Sequence, residues 1–88
     1  MSVFVRSQAN TLDLRGKRVD EAMGLIDTFV DGCVLSRISP FMIIHGHGTG
    51  AIKSVVRDYL RGVNYSIEYR AGEHYEGGDG VTVIELTD

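Results

Sequence analysis

Residues 11–15 (Thr-Leu-Asp-Leu-Arg) alternate, with Leu12 and Leu14 on one side and Asp13 and Arg15 on the other. That is the period of a half-buried strand. Gly16-Lys17-Arg18 breaks the alternation. Val19, Ala22, Met23, Ile26, Phe29, Val30, Cys33 and Val34 then recur at helical spacing. They predict an amphipathic helix of about four to five turns, capped by Asp20 or a neighbour. Gly24 and Gly32 weaken it by roughly 1 kcal/mol each relative to alanine without overturning the period. Ser39-Pro40 stops the segment. Residues 41–45 (Phe-Met-Ile-Ile-His) are a continuous apolar run ending in histidine, the mark of a central strand with both faces covered. After a glycine-rich turn at residues 46–50, Ile52, Val55, Val56, Tyr59 and Leu60 form the buried stripe of a second helix over about residues 51–61, with Gly62 at its end. Residues 65–70 alternate as a third strand, residues 71–80 form a loop with four glycines, and residues 81–86 are a β-branched last strand.

The predicted order is β-α-β-α-β-β. Short βα connections imply right-handed crossovers and parallel first and second strands, and the final pair is most simply antiparallel. Both helices then lie on one face of a mixed four-stranded sheet. The result is an α+β fold, a two-layer α/β sandwich with one open sheet face. Asp13, Arg15, Ser66, Glu68 and Arg70 would make that face polar.

At 88 residues the chain is one domain, and it buries roughly 60–65% of its unfolded surface. Residues 1–11 carry little pattern and read as a leader or linker, which leaves residues 12–88 as the domain. No run approaches the roughly 18 apolar residues of a membrane helix, and the first residues lack the apolar core of a secretory signal. With the single cysteine, Cys33, the simple expectation is a cytoplasmic domain without disulfides. No heptad pattern indicates a coiled-coil dimer, so a monomer is expected. The net charge of −3 gives no global support for nucleic-acid binding, and that case rests on where the charges sit.

Parallel strands end at one edge of the sheet, where ligands of open α/β sheets bind. Residues 15–18 (Arg-Gly-Lys-Arg) leave the first strand there, and His45 with the turn leaves the second. If the third strand is also parallel, the loop carrying His74 starts from the same edge. Glycines let the backbone approach an anion closely, and the start of the second helix favours negative charge. Lys53, Arg57 and Arg61 follow at four-residue steps as a basic stripe, which with Arg15, Lys17 and Arg18 makes a basic rim. The same residues have plainer readings: a tight βα turn, a half-buried His45 bonded to backbone, and a solvated helix face. The turn matches neither the dinucleotide fingerprint nor a P-loop. A zinc site from His45, His47 and His74 ranks low, because alternation splays the first two and no cysteine joins them. Cys33 reads as core, and Tyr65 and Tyr69 as packed under the helices.

Three segments carry a family resemblance: residues 12–16 (Leu-Asp-Leu-Arg-Gly), 45–50 (His-Gly-His-Gly-Thr-Gly) and 77–83 (Gly-Gly-Asp-Gly-Val-Thr-Val). In order and spacing the chain resembles an Smr (small MutS-related) domain over about residues 12–87. The resemblance implies a βαβαββ sandwich like the C-terminal domain of translation initiation factor three, and a nuclease or nucleic-acid-binding role. Members occur alone or at the C-terminus of a MutS paralogue that suppresses recombination and acts on collided ribosomes. The Asp-Leu-Arg signature and the end just after the last strand look most like that C-terminal setting. Many stand-alone and eukaryotic members have histidine where this chain has Arg15.

On this reading the chain is an endonuclease of low sequence specificity, nicking DNA or cleaving RNA. Asp13, Arg15 and His45 are its candidate catalytic residues. Arg15 would stabilise phosphoryl charge, His45 would serve as general acid or base, and Asp13 would orient His45, act as base or hold an ion. Gly46, His47, Gly48, Thr49, Gly50, Lys53, Lys17, Arg18 and Arg57 would bind phosphate. No cofactor is certain, and Mg²⁺ or Mn²⁺ is allowed but not implied. One carboxylate is thin support for Mg²⁺ or Mn²⁺, and an RNA substrate could use its own 2′-hydroxyl. The alternative is a non-catalytic module that grips DNA or RNA, including ribosomal RNA through a parent protein. A protein-interaction domain using the open sheet face ranks last.

Overall fold

A computed structural model describes residues 6–87, so residues 1–5 of the expected leader and residue 88 of the expected domain lie outside the described residues. The elements are β1 (Thr11–Asp13), α1 (Val19–Leu35), β2 (Phe41–Ile44), α2 (Ala51–Gly62), β3 (Ile67–Ala71) and β4 (Val81–Leu86). Two 3₁₀ turns, His74–Glu76 and Gly78–Gly80, fill the loop between β3 and β4. The sheet order is β1-β2-β4-β3. β1 runs parallel to β2, with Leu12 opposite Ile43, and β4 is antiparallel to both β2 and β3. β1, β2 and β3 therefore share a direction and end at one edge, as the α+β reading requires.

Each helix packs its apolar stripe on the same sheet face. Ala22, Ile26, Val30 and Cys33 of α1 and Val56 and Leu60 of α2 meet Leu14, Phe41, Ile43 and Ile84 in one buried cluster. Phe29 meets Phe41 edge to face at 5.7 Å between ring centroids. Burial pushes the Cys33 thiol pKa up. Val19 and Met23, expected in the stripe of α1, are 43% and 58% exposed. They lie at the margin of the stripe, and Met23 borders an open groove between the helices with Val55 and Tyr59.

The helix termini also differ from the sequence reading. Arg18, not Asp20, is the N-cap of α1, and its backbone N–H donates to Glu21 Oε1 at 3.0 Å. Asp20 and Glu21 sit in the first turn, where negative charge complements the helix dipole. α1 stops at Leu35, ahead of Ser39-Pro40. Arg37 adopts φ +57°, so that its N–H reaches the Val34 carbonyl and the Ile38 N–H reaches that of Cys33, a Schellman closure.

The open sheet face is polar at its margins but not at its centre. Met42, Ile44, Val81 and Val83 form a second buried apolar cluster there, because alternation along β2 and β4 places apolar residues on both sides of the two central strands. Asp13, Glu68 and Arg70 are exposed on the flanking strands. No helix among the described residues is long and apolar enough to cross a membrane.

Phe41 has no solvent exposure and Met23 is mostly exposed. Phe41→Ala should cost about 3–5 kcal/mol in urea unfolding, whereas Met23→Ala should stay within about 0.5 kcal/mol. Equal losses would contradict this placement of the core.

Candidate functional site

The edge where β1, β2 and β3 end is assembled by backbone hydrogen bonds. The Leu14 N–H donates to the Ile44 carbonyl at 2.7 Å, extending the β1–β2 pairing beyond the strand. The Gly80 carbonyl accepts from the N–H groups of both His45 (3.0 Å) and Gly46 (2.9 Å). Three separate stretches of chain are thus fixed against one another: residues 14–18, the turn at 45–50, and the loop at 72–80.

Glycine is required at two of these junctions. Gly46 adopts φ +78°, and a Cβ there would lie 3.3 Å from Cγ of Arg15, so the Arg15 stem crosses the turn where a side chain would stand. A Cβ on Gly80 would lie 2.8 Å from Cε1 of His47, so the His47 ring rests on Gly80.

The turn forms a ridge between two hollows. One, about 190 Å³, is lined by Gly16, His45 and residues 46–53. It opens onto the start of α2, whose N-cap is Gly50 at φ +86°, with no side-chain cap and no acid in the first turn. The contrast with the acid-rich start of α1 is what an anion-accepting terminus requires. Lys53 stands at this hollow, 4.0 Å from Asp79. The other hollow, about 290 Å³, lies on the open-face side and is lined by Arg6, Arg15, His47, Gly77 and Gly80 among others. Gly46 and His47 border both.

Asp13 and Arg15 form a two-pronged ion pair. Arg15 Nη2 donates to Asp13 Oδ2 at 2.6 Å and Nε to Oδ1 at 3.0 Å, while the Arg15 backbone N–H also donates to Oδ1 at 3.0 Å. These bonds hold the Asp13 pKa down at about 2, against partial desolvation. Both side chains are substantially exposed, at 46% and 62%, so the pair contributes little to folding.

His45 is 6% exposed and continues the alternation of Phe41 and Ile43 toward the helices. Its Nε2 lies 3.0 Å from Thr82 Oγ1, and its Nδ1 lies 3.0 Å from the Gly46 carbonyl. Arg57 Nε donates to the same Thr82 hydroxyl at 3.0 Å. A hydroxyl carries a single proton. With Arg57 donating to Thr82 Oγ1, that proton is available for His45 Nε2, and Nδ1–H donates to Gly46. The neutral Nδ1–H tautomer satisfies every partner. Desolvation, opposed by the Gly46 bond and assisted by Arg57, Lys53 and His47, pushes the His45 pKa below its usual value.

Asp13 and His45 are therefore not brought together. Leu12 packs toward the helices and its neighbour Asp13 toward the opposite face, so Asp13 cannot orient the His45 ring. The structure does unite Arg15, the turn residues Gly46, His47, Gly48, Thr49 and Gly50, and Lys53. Lys17 and Arg18 follow on the exposed connection to α1, where Arg18 lies 3.8 Å from Asp20. The stripe of Lys53, Arg57 and Arg61 is divided. Arg57 turns inward to Thr82 and over the Tyr69 ring at 5.9 Å, with Nη2 buried and lacking a hydrogen-bond partner among the described residues. Arg61 pairs with Asp58 at 2.9 Å. Tyr65, packed against the core, donates to Asp31 at 2.8 Å. His74 is exposed, and no group of three or more His, Cys, Asp or Glu among the described residues could hold a metal ion.

Sequence reasoning missed three participants. Thr82 is a fully buried polar residue that falls in the resembling segment 77–83 but carries no assigned role there. Glu76, 5% exposed, takes Arg70 at 2.7 and 3.1 Å and orders the glycine loop, with nothing in the sequence to mark it. Arg6 belongs to the stretch read as leader.

The profile of the Smr domain family matches residues 12–87. The chain is 48% identical over 86 residues to a protein named Endonuclease MutS2 from Exiguobacterium sibiricum, covering 97% of this chain and 11% of that protein. It is 45% identical over 82 residues to Endonuclease MutS2 from Fusobacterium nucleatum, covering 93% and 10%. The chain thus spans about a tenth of the length of the curated relatives it matches. The crystal structure of the Smr domain of Thermus thermophilus MutS2 superposes with a TM-score of 0.83 at 33% identity, over 90% of this chain and 99% of that one. YdaL, a stand-alone small MutS-related protein from Escherichia coli, shares the fold with a TM-score of 0.84 at 21% identity, over 93% and 67% of the two chains.

Two pH effects follow. The unfolded chain protonates its histidine at the ordinary value of 6.5, before the folded chain protonates His45. Stability should therefore fall as pH drops through 6.5 and level off below the folded His45 pKa; ¹⁵N NMR should show the neutral Nδ1–H form at pH 7. A His45 that titrates above 6.5 would contradict the buried relay. For Asp13 the sign is the same in a more acid window, its contribution being lost as pH falls from 3.8 through about 2. Arg15→Ala should return its NMR-detected titration toward 3.8; an unchanged midpoint would contradict the pairing.

Proposed function

Because this chain belongs to the Smr domain family, we propose that it is a nucleic-acid endonuclease domain of low sequence specificity, acting on DNA or RNA at the edge built by the glycine turn. The observation that carries this reading is the convergence of Arg15, His47, Lys53 and an uncapped helix start on two hollows sharing one glycine ridge. Anionic oxygens of a strand would take the amides of residues 47–50 and 52 and the charge of Lys53. Lys17 and Arg18 would extend the contact along the strand.

Cleavage adds water, or in RNA the neighbouring 2′-hydroxyl, to phosphorus and expels an alkoxide that must gain a proton. Arg15 would stabilise the charge on the non-bridging oxygens. Asp13, held ionised, is too weak a base to drive the attack by itself and would serve by fixing the Arg15 fork. His45, with both ring nitrogens engaged, would act by holding the Gly46 carbonyl and hence the turn. His47, exposed at both hollows, is the histidine placed to move a proton. The described residues supply no cluster of metal ligands, and no step is assigned to a metal.

In a longer protein of the MutS paralogue kind, the domain would serve recombination suppression or ribosome rescue, a role carried by the family resemblance. A second reading, a nucleic-acid-binding module without catalysis, is favoured by the same buried His45 and pinned Asp13, since neither is free to transfer protons.

The test is cleavage of supercoiled plasmid and of a structured RNA, each with Mg²⁺, Mn²⁺ or EDTA. The unaltered chain should cut. Asp13→Ala should lose at least about 100-fold while remaining folded, and His47→Ala a similar factor. Full activity in Asp13→Ala would contradict the mechanism. No cutting, with salt-sensitive binding retained, would establish the second reading.

A further inference from the structure

Arg6 precedes the residues that the family profile matches, yet it is built into the edge. Its Nη2 donates to the Glu76 carbonyl, and it borders the larger hollow with Arg15 and His47. The loop accommodates it by lacking a side chain. A Cβ on Gly77, at φ +118°, would lie 3.3 Å from Arg6 Nη2 and 2.8 Å from Val81 Cγ1.

The hydrogen-bond partner distinguishes Arg6 from its neighbours. Arg15 is paired with Asp13 and Arg70 with Glu76. Arg6 donates to a carbonyl instead, and its charge acts on the Asp13 and Glu76 carboxylates without a hydrogen bond to either, helping to hold both pKa values down. A guanidinium has five N–H donors in a planar fork matched to phosphate oxygens, and the Glu76 carbonyl uses one of them. At about 290 Å³ the hollow has room for a phosphate group.

We propose that Arg6 is a phosphate-binding residue of this site, forming with Arg15 and His47 a seat for one backbone phosphate of a nucleic-acid strand; the assignment rests on the functional reading given above. The segment ahead of the family's common core therefore contributes to the site and is not an inert leader. Arg6 also widens the anion-binding edge onto the open-face side of the turn, so a strand would cross the glycine ridge, with phosphates on both sides of it.

The experiment measures binding of a fluorescein-labelled oligonucleotide by anisotropy, across about 50 to 200 mM KCl. It uses the unaltered chain, Arg6→Gln and Arg6→Lys. Glutamine keeps an N–H donor for the Glu76 carbonyl and removes the charge, whereas lysine keeps the charge. Arg6→Gln should lower the slope of log K against log salt by about 0.9 for duplex or 0.7 for single strand, which is about eightfold or fivefold in affinity at 0.1 M if the lines converge near 1 M. Arg6→Lys should retain the slope, and a thermal melt should show both variants folded. An unaltered slope in Arg6→Gln, or an equal loss of slope in Arg6→Lys, overturns the phosphate contact. Failure of the unaltered chain to bind the oligonucleotide at all overturns the functional reading and this assignment together.

Discussion

The Gly80 carbonyl accepts hydrogen bonds from two successive amides, those of His45 and Gly46, and the edge of the sheet is organised around that junction. Through it the loop after β3 is joined to the turn after β2, and Gly80 itself supplies the bare surface on which the His47 ring rests. The Arg15 stem crosses Gly46 on one side of the turn. On the other, the relay from Arg57 through Thr82 to His45 supports the turn from beneath. A turn with this much glycine would otherwise be costly to order. Cross-links to β4 and to the helix layer turn a flexible sequence into a preformed cradle.

The distribution of charge reconciles an acidic domain with an anionic ligand. α1 carries Asp20, Glu21, Asp27 and Asp31 and no lysine or arginine. Arg6, Arg15 and Lys53 line the hollows beside the glycine turn, and Lys17 and Arg18 lead from it to the start of α1, where Arg18 meets Asp20. A net charge of −3 therefore conceals two regions of opposite sign. Long-range attraction is weakened by the helix face, and orientation is enforced by it, because a strand approaching along α1 meets like charge.

Much of the fold was legible in the sequence. Period, one continuous apolar run and a β-branched stretch located both helices and all four strands, and the glycine turn followed by Lys53 pointed to the edge proposed as the site. Tertiary contacts decided what periodicity could not. Val19 and Met23 fit the helical stripe but stay exposed at its margin, Met23 on an open groove between the two helices. Met42 and Ile44 read simply as buried, without revealing that the open face has its own apolar centre. Asp13 and His45 belong to neighbouring parallel strands, yet they leave on opposite faces, a fact set by their position in each pleat. The roles of Arg6 and Thr82 were silent because they depend on long-range partners, such as the Glu76 carbonyl 70 residues from Arg6, whereas Glu76 takes nearby Arg70 without any pattern to mark it.

The central claim is that phosphates are held at the glycine-turn edge. Chemical-shift mapping of the ¹⁵N-labelled chain, titrated with an unlabelled oligonucleotide, tests it most directly. The account predicts shifts at residues 15–18, 46–53 and 77–80, with the exposed amides around Asp20, Asp27 and Asp31 unmoved. Shifts centred on α1, or on the groove between Met23 and Tyr59, would contradict it.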